Sequence, residues 1–153
     1  MRSKLRLASL LALASLTACT NGGVPTSSGG SGGITITVNL TLNQPQHTIY
    51  GASAGYAPPV TTVAVGSQIR FSNTDSFTHT ATLIPNATQF PAGSPFGASA
   101  LQQKGTNLSG GFTSGALLAG SSSQTITADR AGTYFFGCFF HYGANMRGVI
   151  VAQ

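Results

Sequence analysis

Gly132-Thr133-Tyr134-Phe135-Phe136-Gly137-Cys138-Phe139-Phe140-His141-Tyr142-Gly143-Ala144-Asn145-Met146-Arg147-Gly148-Val149-Ile150-Val151-Ala152-Gln153 closes the chain and decides how the rest is read. Its first part alternates as a strand does, with Tyr134, Phe136 and Cys138 on one face. The chain then turns through Gly143 and leaves on a second strand, Gly148 to Ala152. The loop between them carries Cys138, His141 and Met146. A thiolate, an imidazole and a thioether so close together form a soft donor set, suited to copper where zinc or magnesium would ask for other partners.

Each of these residues has a plainer reading alone. A buried cysteine usually packs as a small hydrophobe, and a methionine at a strand start is usually core. Their joint occurrence on one loop points to a metal, and a fourth donor must come from elsewhere. The candidate is His79, which follows the turn Asn73-Thr74-Asp75-Ser76-Phe77-Thr78 and opens a predicted strand, Thr80–Ile84. A histidine at a strand entrance is held rigidly, as a metal site requires. Phe77 is predicted to plug the core. His47 lies in a polar stretch with no fellow ligand nearby and reads as a surface residue.

The other end of the chain is of a different kind. Arg2, Lys4 and Arg6 precede a short apolar run, Leu7–Leu16, and small residues lead to Cys19. Residues 1–18 therefore read as an export signal, too short to span a bilayer. Leu16-Thr17-Ala18-Cys19 resembles the lipobox of bacterial lipoproteins, which implies lipid on Cys19. The expected location is the cell envelope, facing the periplasm (at the outer membrane in a Gram-negative host) or the cell exterior. Residues 19–33 hold that cysteine and a Gly/Ser-rich tether, which buries too little apolar surface to fold. Residues 34–153 then form one domain.

Beyond the leader, Arg70, Lys104, Arg130 and Arg147 face Asp75 and Asp129, a net charge of +2. Four isolated cations do not make a nucleic-acid surface. With Cys19 acylated, Cys138 has no disulfide partner among the 2 cysteines, and a lone thiol in an oxidising compartment is a liability unless buried or metal-bound.

Ile34, Ile36, Val38 and Leu40 alternate along a half-buried strand. Gln46–Tyr50, Val60–Val65, Gln68–Asn73 and Ser122–Thr127 read as further strands, and Gly51–Pro59 as a turn-rich connection. Residues 85–120 read as long loops with a helical turn in Ala98–Lys104 and one short strand near Gly115–Leu118. Many short strands with turns between them predict an all-β sandwich.

Here the chain resembles the cupredoxins, and within them the plastocyanin-like branch. Their Tyr-x-Phe-x-Cys-x2-His-x4-Met-x-Gly pattern is met by Tyr134, Phe136, Cys138, His141, Met146 and Gly148, and the upstream part by Asn73, Phe77 and His79. The resemblance implies a Greek-key β-sandwich of about eight strands with one type 1 copper ion, Cu(I) or Cu(II), at one end. It implies His79, Cys138, His141 and Met146 as ligands, with electrons passing through the outer edge of His141. Two departures stand out. Thr80 follows the first histidine where the family often has Asn, and Phe139-Phe140 fill the Cys–His interval where plastocyanins favour a small residue and a proline.

The function expected from this is the carriage of single electrons between redox partners in the bacterial envelope. No open coordination position awaits a substrate, so no enzyme is expected. Partners are expected to dock near His141 on an apolar ring of Phe139, Phe140, Tyr142 and Ala144. Asp75 is the one acid near the site, so a strongly cationic partner is not suggested, and the chain is expected to be a monomer. The alternative is a copper carrier or sequestration module built on the same ligands. A third reading is a sandwich adhesion domain with a stabilising metal.

Overall fold

Alternation along Ile34–Val38 (β1) places Ile36 and Val38 wholly out of solvent, and Ile36 lies opposite Phe71 on a parallel neighbour, Gln68–Asn73 (β6). The computed structural model describes residues 33–153; the expected export signal, Cys19 and nearly all of the expected tether lie outside the described residues. Between β1 and β6 come β2 (Gln46–Thr48), β3 (Gly51–Ser53), β4 (Tyr56–Ala57) and β5 (Val60–Val63). After β6 come β7 (Thr82–Leu83), β8 (Gln103–Lys104), β9 (Thr113–Ser114), β10 (Ile126–Thr127), β11 (Gly132–Gly137) and β12 (Arg147–Ala152).

One sheet runs β10-β6-β1-β4 and the other β5-β12-β11-β7-β9-β8, while β2 and β3 form a separate hairpin. The inner faces meet on Phe136, whose ring lies 4.8 Å from that of Tyr56 and 5.1 Å from that of Phe71, edge to face in both cases. Burying a phenylalanine contributes about 1.5–3 kcal/mol, and each well-set aromatic pair adds about 1 kcal/mol. Successive strand residues point to opposite faces. Phe135 therefore turns outward, where Val149, Ile84 and Tyr142 pack with it under Phe90 and Phe96. The long segment after β7 thus covers the outside of the second sheet.

The strands are more numerous and shorter than the sequence suggested. Gly51–Pro59 holds β3 and β4 rather than turns alone. Gly51 (φ 111) and Gly55 (φ 74) break the extended backbone into pieces too short to show alternation. The Thr80–Ile84 strand shrinks to β7, because the Thr80 and Ala81 amides donate to side chains, Cys138 Sγ at 3.4 Å and Ser114 Oγ at 2.8 Å, instead of a neighbouring strand. Ser122–Thr127 is likewise cut to β10, as the Ser123 hydroxyl accepts the Phe71 amide at 3.0 Å in place of a carbonyl. The helical turn in the 85–120 region is a single 3-10 turn, Ala98–Leu101. The strand expected near Gly115–Leu118 is one bridge, from Leu117 to His79.

Candidate metal centre

Asn73 ends β6 and sets the turn that delivers His79. Its side-chain amide donates to the Phe77 and Leu117 carbonyls, both at 2.8 Å, and its oxygen accepts the Asp75 amide at 2.9 Å. The turn throws Phe77 outward, 58% exposed, so it does not plug the core as expected; the carboxylate of Asp75 occupies the interior instead. His79 then exchanges two backbone hydrogen bonds with Leu117 and is fully buried.

From the other side, β11 ends at Gly137 and Cys138 follows, also fully buried. The loop to β12 is closed by two backbone bonds, Cys138 N–H to Met146 O at 2.9 Å and Met146 N–H to His141 O at 3.2 Å. A 3-10 turn, Tyr142–Ala144, fits inside this closure, and Asn145 leaves it in the left-handed region (φ 60), which asparagine tolerates better than most residues. The result brings His141 back over Cys138.

The three donors converge. Nδ1 of His79 and Nδ1 of His141 are 3.1 Å apart, and Sγ of Cys138 lies 3.9 Å from the first and 3.6 Å from the second. With metal–nitrogen bonds of about 2.0 Å and a metal–sulfur bond of about 2.3 Å, a trigonal site separates its nitrogens by about 3.5 Å and sulfur from nitrogen by about 3.7 Å. The donor set therefore fits one ion, and His79, Cys138 and His141 form a candidate metal site. Burial pushes the Cys138 thiol up, against amides of Thr80, His141 and Phe140 that favour the thiolate. Burial, and then the neighbouring His79, hold His141 below the usual imidazole range, which keeps it neutral and able to ligate.

Met146 is fully buried and its side chain lies against Gly55: a Cβ there would sit 2.7 Å from Met146 Cγ and 3.1 Å from Sδ. His47 is exposed on β2, away from this cluster, as its polar surroundings implied. Tyr142 departs from the expected docking ring. It is buried, stacks edge-on to Phe96 and donates its hydroxyl to Pro91 O at 3.0 Å. Phe140 stays 45% exposed, Ala144 is exposed and Phe139 is half-buried.

Two neighbours of the site were not singled out in the sequence for what they do. Asp75 Oδ2 lies 3.1 Å from His79 Nε2, out of contact with solvent. An acid four residues before the candidate histidine was the available signal. Burial works to raise the Asp75 carboxyl, but hydrogen bonds from His79, Thr41, Ser76 and Leu40 outweigh it and bring it down to about 2. Gly55 was the other; nothing local in sequence marks it, because its neighbour Met146 is remote along the chain.

The family profile of copper binding proteins, plastocyanin/azurin family, matches residues 43–153. The chain belongs to that family. Among solved structures it is similar to a purple cupredoxin from Nitrosopumilus maritimus, at 19% identity over 78% of this chain and 99% of that one, with a TM-score of 0.51. It is also similar to a reduced Cu(I) form of an amicyanin mutant at pH 4, at 16% identity over 82% of this chain and 87% of that one, with a TM-score of 0.50. Identities this low establish the shared fold. A search of curated proteins finds no match.

Proposed function

We propose that this chain is a type 1 copper protein that carries single electrons between redox partners in a bacterial cell envelope. The convergence of Cys138 Sγ with the Nδ1 atoms of His79 and His141 supports this reading above all. Met146, buried on the same loop, would supply a fourth, weak thioether donor. Bound copper supplies the one-electron Cu(II)/Cu(I) couple; the chain's own residues hold the donors so that little has to move. His79, Cys138 and Met146 are all at 0% exposure, whereas His141 is half-buried. That arrangement favours electron passage through the His141 edge over copper hand-off, which needs ligands within reach of an incoming competitor.

The docking surface proposed for partners is the apolar neighbourhood of His141, with Phe140 at 45% exposure, joined by Phe77 at 58% and Leu118 at 63%, each one or two residues from His79 or its bridge partner Leu117. The protein is proposed to work as a monomer, its copper domain at residues 34–153 tethered through lipid on Cys19 after removal of residues 1–18. Cys19→Ala should move the full-length protein from the membrane to the soluble fraction of the envelope; unchanged membrane retention would count against the lipid anchor.

Absorption spectroscopy tests the copper reading. The Cu(II) protein should be intensely coloured by thiolate-to-copper charge transfer, and Cys138→Ser should lose the band. A colourless Cu(II) wild type would end the type 1 reading. Reversible voltammetry with fast self-exchange is expected of an electron carrier, and ready loss of copper to a chelator would favour the carrier or sequestration role instead. Met146→Gln should lower the potential while keeping the colour; an unchanged potential would remove Met146 from the ligand set.

A further inference from the structure

We infer that Asp75 is a positioning residue of the copper site: its carboxylate grips His79 by the ring nitrogen that faces away from the other donors, and places behind the metal an anion that favours Cu(II) over Cu(I). The inference rests on the copper reading above and concerns how that site is tuned.

His79 is engaged at both ring nitrogens. Nδ1 lies 3.1 Å from His141 Nδ1 and 3.9 Å from Cys138 Sγ, while Nε2 lies 3.1 Å from Asp75 Oδ2. A neutral imidazole carries one proton, and an ionised carboxylate only accepts. The proton therefore sits on Nε2, and Nδ1 keeps its lone pair for the metal. Rotation of the ring would break the Asp75 bond, so orientation and tautomer are settled together.

Asp75 does not depend on His79 for its place. Oδ2 also accepts the amides of Leu40 at 2.9 Å and Thr41 at 3.4 Å. Oδ1 accepts the Thr41 hydroxyl at 3.1 Å and the Ser76 amide at 2.8 Å. These neutral donors orient the charge without cancelling it, and among the described residues no lysine or arginine pairs with it. The carboxylate is an uncancelled anion, only 5% exposed, on the far side of a ligand ring. Shielded from direct contact with water, it stabilises the more highly charged oxidised ion more than the reduced one, and it makes the imidazole a stronger donor.

The test compares Asp75→Asn with the wild type, both full-length and copper-loaded. The amide can still accept from His79 but carries no charge. Cu(II) affinity should fall roughly 10–100-fold, with Cu(I) affinity falling less. The potential should therefore rise, by about 59 mV for each tenfold change in the affinity ratio. Thr41→Val, at an exposed position, covers the case in which Asp75→Asn fails to fold. It removes one hydrogen bond to Oδ1, leaves more charge on the carboxylate, and should move the potential the opposite way. A merely structural role for Asp75 predicts neither shift nor opposite signs. In the copper-free wild type, nitrogen-15 NMR should find the His79 proton on Nε2. A proton on Nδ1, or potentials unmoved in the variants, would overturn the inference. A colourless Cu(II) wild type would overturn the copper reading, and the copper-free spectrum would still decide whether Asp75 holds His79.

Discussion

The hydroxyl of Thr80 accepts the backbone N–H of Phe139 at 2.9 Å, tying the residue after His79 to the residue after Cys138. The same threonine donates its amide to Cys138 Sγ at 3.4 Å and accepts the buried Tyr56 hydroxyl on its carbonyl at 2.5 Å. Thr80 is thus the clasp between the His79 segment and the cysteine loop. Where the sequence departs from the asparagine common in the family, a shorter side chain braces the loop with one acceptor.

Replacing that acceptor leaves the Phe139 amide without a partner. Thr80→Val, nearly the same in shape, should destabilise the copper-free domain by about 1 kcal/mol, the lower end of the cost of stranding a donor, because the Phe139 amide is partly buried. Thr80→Ser should recover most of it. Urea unfolding of the three proteins measures the difference, and equal midpoints would show that the clasp contributes nothing.

Gly55 is needed for two reasons at once. Its φ of 74 disfavours any L side chain, and a Cβ would come within 2.7 Å of Met146 Cγ. Gly55→Ala should lower the stability by at least about 1 kcal/mol. It should also displace Met146, seen as a changed visible spectrum of the Cu(II) protein. A spectrum and a melting temperature identical to wild type would show that the loop yields freely there.

Acid should loosen the region around Asp75 within a definite window. Its carboxyl lies at about 2 in the folded protein against an ordinary 3.8, so the unfolded chain takes up a proton first as pH falls. The contribution is fully present above about pH 4 and is lost as pH drops toward 2. In copper-free Asp75→Asn that part of the acid dependence should vanish. A wild-type stability flat between pH 4 and 2 would contradict the assignment.

The exposed Phe140 lies beside His141 and can be changed without touching a candidate donor. Phe140→Lys should leave the colour intact, yet slow electron exchange with an apolar-faced partner by roughly tenfold, the effect of about 1.4 kcal/mol at a docking surface. An unchanged rate would place docking elsewhere.

Much of the fold and the grouping of the candidate site is legible in the sequence. Gln68–Asn73 alternates over its whole length and is a strand with those limits, Ile69 and Phe71 inward. Cys138, His141 and Met146 share one short loop, so their proximity is nearly a property of the chain itself, and His79 announced itself as a histidine at the mouth of a strand. The short strands β3, β4, β8 and β9 were not legible, because two or three residues carry no measurable period. Phe77 and Tyr142 were misplaced for a related reason. Residue type says that a ring tends to be buried, but the course of a turn decides whether it is: Asn73 draws the backbone in and turns Phe77 out, and the 3-10 turn carries Tyr142 inward to Phe96.

By itself the sequence determined the sandwich class and which residues stand as candidate donors, because periodicity and residue chemistry are local. Only the tertiary structure decided what those donors meet. His79 reaches Cys138 across 59 residues, Thr80 clasps Phe139 across 59, and Gly55 makes room for Met146 from another part of the chain. Such contacts depend on how two sheets lie face to face, and no local pattern encodes that.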